Sequence, residues 1–220
     1  LFFLCLSNMI NGGLVLVASI ILIVSSLSFK VNKQQFVPDF QPKNVAFSIW
    51  SLIFASAIIT GIRLLYKKEA LIPSITFSLA CIFCSLWLIV QKNKFAFIVL
   101  YFGLTFSCIS SLMMKDFLTS LGPALLSGWL VVASALGSSI YLFNIYGSEI
   151  NKYKIVIPFA ILSTILSISS SLTGNKFSGI LYSFPLLWTS LFSKNIENSI
   201  LFMVPYILIN SFLTGYYISC

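Results

Sequence analysis

The chain has 220 residues, of which 59% are hydrophobic and only 8% charged. Soluble domains carry about 25% charged residues, so a water-facing globular surface is excluded. Each membrane crossing needs about 20 apolar residues, which leaves room for helices and short links. The net charge of +8 does not mark a nucleic-acid partner. Its 13 Lys and Arg residues are scattered at the ends of apolar runs, where long basic side chains reach toward headgroups. No basic stripe with interleaved aromatics lies outside those runs.

In chain order the sequence predicts an all-α, polytopic transmembrane bundle of about eight helices. Five are expected in residues 1–150 and about three more in residues 151–220. The first lies within Leu1–Leu27, starting near Met9 after a softer entry at Asn8 and Asn11. That run is too long for the apolar segment of a signal peptide, and no clean small-residue cleavage site follows it. A polar loop with Pro38, Asp39 and Pro42 then runs from Lys30 to about Lys43.

The second helix is expected over Asn44–Tyr66, the third over Leu71–Val90 and the fourth over Phe95–Met114. The fifth covers Leu118–Tyr146, with Pro123 near its start. Ile155–Leu172, Phe177–Phe192 and Ile200–Ile218 complete the set, the seventh being short and interrupted by Pro185. On this count Lys30, Lys33, Lys43, Lys92, Lys94, Lys152, Lys154 and Lys194 share one membrane face. Arg63, Lys67, Lys68, Lys115 and Lys176 share the other, so the first set is assigned to the positive-inside side.

Small residues repeat at helical spacing in the fifth span (Ala133/Gly137 and Ser134/Ser138) and in the sixth (Ser163, Ser167, Ser171). Such stripes let backbones approach closely and read first as helix contacts. A polar path through the bilayer is the rival reading. Cys81 and Cys84 form a C-x-x-C pair, but in mid-span, with no second pair and no histidine in the chain. They are read as small apolar side chains rather than as a zinc or redox site.

The missing chemistry is informative. Without histidine there is no imidazole ligand for haem or chlorophyll and no histidine proton relay. The five acids, Asp39, Glu69, Asp116, Glu149 and Glu197, all fall in loops or at helix ends. Ion-coupled carriers place an ionisable group inside a span, so a carrier of that kind is disfavoured. No nucleotide-binding loop, nucleophile elbow or metalloprotease helix is present, and catalysis is not expected.

Three segments carry a resemblance. Pro42–Phe54 reads PKNVAFSIWSLIF, joining a polar loop to a helix through Phe47 and Trp50. Gly122–Gly137 reads GPALLSGWLVVASALG, with Pro123, Gly128, Trp129 and Ala133 in a P-x-x-x-x-G-W-x-x-x-A pattern. Trp87 occupies the tryptophan position of an N-x-x-W pattern in the third helix. Together these resemble the TspO/MBR-related family, the tryptophan-rich sensory protein and translocator protein relatives, over roughly residues 14–193.

The resemblance implies a five-helix bundle with additional helices after it. It also implies a pocket for a porphyrin, sterol or similar flat apolar molecule (a carotenoid or lipid among them), under a first loop that acts as a lid. Carried onto this chain, the ligand-binding residues would be Phe47, Trp50, Trp87, Trp129 and Ala133, beneath Val37–Lys43. Two departures stand out: Cys84 replaces the asparagine of N-x-x-W, and Gly137 replaces a second asparagine that lies beyond Trp129. Buried amides orient ligands by hydrogen bonding, so both polar handles are lost.

Read from the residues alone, the same tryptophans could be core packing or an interface belt. Two functions follow. One is a binding protein for a hydrophobic molecule held between helices. The other is a non-catalytic accessory subunit of a larger membrane complex, such as a photosynthetic or respiratory assembly in an organelle. Membrane lipids are partners in either case, and a homo-oligomer is compatible with both.

Overall fold

The fold is that of a computed structural model, which describes residues 2–28, 43–67, 69–93, 95–146, 162 and 178–192. Among the described residues there are six α-helices: α1 (Phe2–Ser28), α2 (Ile49–Tyr66), α3 (Leu71–Val90), α4 (Ala96–Met113), α5 (Phe117–Tyr146) and α6 (Ser178–Leu191). A 3-10 turn over Asn44–Ser48 leads directly into α2. Five segments are long and apolar enough to cross a bilayer, namely Leu6–Ser28, Asn44–Tyr66, Leu71–Val90, Ala96–Met113 and Phe117–Leu142. Expected spans two to five and seven match within a residue or two. The sixth and eighth, Ile155–Leu172 and Ile200–Ile218, lie outside the described residues, as does the serine stripe of the sixth.

The first helix differs from expectation. It is already helical at Phe2, well before Met9. Asn11 does not soften the entry, because a tertiary contact engages its amide nitrogen. Its Nδ2 donates to the Glu69 carbonyl at 3.0 Å, between α2 and α3. An asparagine reads as a helix breaker when its amide competes for the local backbone; here the amide is engaged elsewhere.

Prolines enter where the helix tolerates them. Pro73 sits in the first turn of α3, where its missing N–H is no loss. Pro123 lies deeper, inside α5. Its carbonyl accepts from Ser107 Oγ at 2.7 Å, and the single Ser127 hydroxyl proton is shared between that carbonyl at 2.7 Å and Ser107 Oγ at 2.8 Å. This hydroxyl knot ties α4 to α5, in a medium where unsatisfied polar groups are costly.

Packing defines a closed ring. α1 lies between α2 and α3, α3 packs on α4, and α5 fills the space between α4 and α2. The order around the ring is therefore α1–α2–α5–α4–α3. Glycines permit the closest approaches. A Cβ on Gly61 would meet the Leu16 side chain at 2.8 Å, and one on Gly122 would meet Phe77 and Thr60 at 2.9 Å. Because Phe77 reaches Gly122 from α3, on the other side of the ring, Gly122 faces the ring axis.

One end of the ring is held by charge. Arg63 and Lys67, at the end of α2, both pair with Asp116 in the α4–α5 link, at 3.3 and 2.7 Å. Partial burial would raise the Asp116 carboxyl. The hydrogen bonds and charges of Lys67 and Arg63 outweigh it and hold the group below its ordinary value of 3.8. Thr60 adds a polar clasp at the same level, donating to the Leu118 carbonyl at 3.2 Å and accepting from Gly122 N–H at 3.1 Å.

α6 stands outside the ring, against α5. Its buried residues Gly179, Tyr182, Ser183, Leu186 and Thr189 recur at helical spacing and form one face. Gly128 of α5 lies against the Tyr182 carbonyl and Pro185, and the far end of α6 meets the start of the 3-10 turn. α6 therefore runs in the same direction as α5.

Candidate functional site

The site lies at the end of the ring opposite the charged bracket. The inward stripe of α5 begins at Gly122 and continues through Leu126 and Trp129, all buried. The next residues on the same face are Ala133, Leu136, Gly137 and Ile140, and all four are only half-buried. The inward stripe of α5 is thus fully buried along its lower half and only half-buried along its upper half. Ala57, Phe77 and Leu126 fill the lower half without residual exposure beyond 1%.

Aromatic rings gather where that burial falls off. Trp50, in the first turn of α2, meets Trp129 of α5 edge-on, with centroids 5.6 Å apart. Phe47, in the 3-10 turn, meets Trp129 at 5.7 Å, also edge-on. Phe54, one turn beyond Trp50, lies 5.3 Å from it. These are the separations and tilts at which ring quadrupoles attract. Trp129 is 4% exposed and forms the base, whereas Phe47 is 36% exposed and forms the rim.

Local sequence explains how the turn presents Phe47. Lys43 is extended, and Ser48 Oγ donates to the Val45 carbonyl at 2.7 Å, tightening the turn before the regular helix starts. Ala46 points inward and is fully buried, which leaves Phe47 directed over Trp129. The loop residues before Lys43 that were expected to cover the site lie outside the described residues.

Of the five residues singled out in the sequence, Phe47, Trp50 and Trp129 form one cluster. Ala133 shares the Trp129 face one turn further on. Trp87 lies on α3 in the half nearest the same end; it is half-buried against the core and makes no ring contact with the trio. Phe54 was not singled out, although it stands one turn beyond Trp50 on the same face of α2 and its type and spacing could have signalled it.

The two departures from the family pattern also find a place. Cys84 is buried, and the α4 residue Gly103 packs against it, a Cβ there lying 3.5 Å from the Cys84 sulfur. A Cβ on Gly137 would come within 2.9 Å of Phe97 Cβ, so α4 occupies the space that an asparagine would need. On the next turn-face, Ser138 Oγ is 2.8 Å from the Tyr101 hydroxyl, a contact that pins the same pair of helices. The α5 small-residue stripe therefore serves helix packing here.

A five-helix membrane ring with an aromatic cluster at one end is the class that these features define. The TSPO-like protein family model matches residues 6–215, and the chain belongs to that family. It is thus a multi-pass integral membrane protein in contact with lipid. No curated protein and no solved structure matches it.

Proposed function

We propose that the chain is a non-catalytic binding protein for a flat, apolar molecule of the porphyrin, sterol, carotenoid or lipid kind. The observation that carries this reading is the Phe47–Trp50–Trp129 cluster beneath the half-buried upper stripe of α5. Aromatic walls hold flat ligands by contact area and stacking rather than by charge. With Cys84 and Gly137 in place of amides, the walls favour a ligand that needs no oriented hydrogen bond. Trp87 and Ala133 complete the walls from α3 and α5.

The test is a titration of purified protein with a porphyrin, read by quenching of tryptophan fluorescence. Saturable binding is expected, and Trp50→Ala should weaken it about tenfold, the worth of one good aromatic contact. Equal affinity in Trp50→Ala and Trp129→Ala would place the ligand elsewhere.

A further inference from the structure

α6 is not part of the ring, yet its middle and its far end both touch elements of the site. Midway along, it packs on α5 one residue before Trp129. Gly128 lies directly against the Tyr182 carbonyl, and a Cβ there would stand 3.2 Å from Pro185 Cδ. At its finish, the Phe192 carbonyl accepts a hydrogen bond of 2.7 Å from the Lys43 N–H. Lys43 is the residue from which the 3-10 turn springs, and that turn carries Phe47 over Trp129. Phe192 is in turn steadied by Trp188, whose ring lies 4.8 Å from it.

We propose that α6 is a strap. It is anchored on α5 at Gly128 and latched to the turn at Lys43, so that its seating on α5 sets how readily the turn lifts from the aromatic site. The proposal rests on the binding reading for its purpose, but the mechanical coupling stands apart from it. Two features make the coupling physical. The anchor has no slack, because the groups facing Gly128 are a backbone carbonyl and a proline ring rather than flexible side-chain ends. The latch is a main-chain bond, so no side-chain rotation can release Lys43 without moving the end of α6.

The test uses the full chain with a reporter in the turn. Ala46 is fully buried, so Ala46→Cys should react slowly with a water-soluble maleimide unless the turn opens. Adding Gly128→Leu unseats α6 and should speed labelling about tenfold, the equivalent of losing one net hydrogen bond with its supporting contact. Trp188→Ala, which leaves Gly128 in place, should speed it to a smaller degree and serves where Gly128→Leu does not fold. Gly13→Leu is the control, since a Cβ at Gly13 meets nothing within 4 Å.

Bound porphyrin should also exchange faster in the unseated variants, with both association and dissociation accelerated and affinity little changed. Labelling as slow in Gly128→Leu and Trp188→Ala as in the parent overturns the strap. Faster labelling with unchanged porphyrin exchange keeps the coupling and rejects the turn as the ligand's route of entry. Faster labelling in a protein that binds no porphyrin keeps the coupling and removes the binding reading instead.

Discussion

Gly122 and Gly13 show how unequal two glycines of one membrane protein can be. Gly122 lies where α5 passes α2, with Thr60, Phe77 and the Ala57 backbone inside 3.2 Å of a would-be Cβ; Gly13 faces open space. Gly122→Leu should therefore cost about 1–3 kcal/mol, the usual range for overpacking. Gly13→Leu should cost nothing measurable by thermal unfolding in detergent. Trp50 and Trp129 divide in a similar way. Trp129→Ala should lower stability as well as binding, because its ring is buried under both Phe47 and Trp50. Trp50, half-buried at the helix start, should lose binding with the smaller loss of stability.

At this scale the sequence was readable where a motif spoke. Phe47, Trp50 and Trp129 came from segments with a recognisable pattern, and they meet. Phe54 closes the same segment as Phe47 and Trp50 but is not one of its pattern letters, and only the helical repeat points to its contact with Trp50. Gly128 was read as one letter of a motif. Its contact is with a helix more than fifty residues away, and no local pattern announces such a partner.

Among the elements, the α2 end and the α4–α5 link are joined by the Asp116 bracket. The Asp116 carboxyl titrates below its ordinary value of 3.8 in the fold. Its contribution is therefore complete above that value and is lost as pH falls through the lower, folded pKa. Asp116→Asn should remove it at every pH. The expected loss is about 1 kcal/mol or less, since the Arg63 side chain is 41% exposed and solvent screens the pair. Melting temperature measured against pH should show a drop in acid for the parent, on this account, and a shallower one for Asp116→Asn. Glu69 acts in the opposite sense. Burial raises its carboxyl, against the pull of Lys67, so its ionisation weakens the fold slightly as pH rises.

Helix bounds were the most legible feature, because apolar runs ended by lysines and prolines mark them directly. The exception, α1, is instructive. Asn8 and Asn11 looked like an entry to the membrane, yet Asn11 donates to Glu69 on another element. A side chain's partner across the bundle is invisible to a reading that knows only neighbours along the chain.

For the whole molecule, the ring order could not be read from the sequence. In water, an amphipathic stripe tells which face of a helix points inward. In lipid, outward and inward faces are both apolar, and that signal vanishes. Exposed residues such as Ile20, Ile62, Ile89 and Phe102 are as hydrophobic as the buried ones, since they meet acyl chains. The family resemblance supplied the five-helix core, and the packing of helix on helix supplies the order. Whether the ring works alone is an assembly question. Gentle extraction followed by native sizing should give a small particle with a co-purifying apolar molecule on the binding reading. A large, defined assembly would instead favour the accessory-subunit role.

The ring order also bears on how the chain is made. Packing of α1 on both α2 and α3, and of α3 on α4, sets the first four helices in a row, α2–α1–α3–α4. Among the described residues, α5 packs on both ends of that row, α2 and α4, and so joins them. A nascent chain that has not yet released α5 into the bilayer is therefore an open trough whose inner wall is bathed by lipid. Thr60 and Ser107, which later engage α5, would have no partner there. Ribosomal stalling just before Phe117 should leave that trough open to quality-control proteases that patrol the membrane. Chains long enough to insert α5 should close the trough and resist those proteases, which proteolysis of stalled chains of graded length would show.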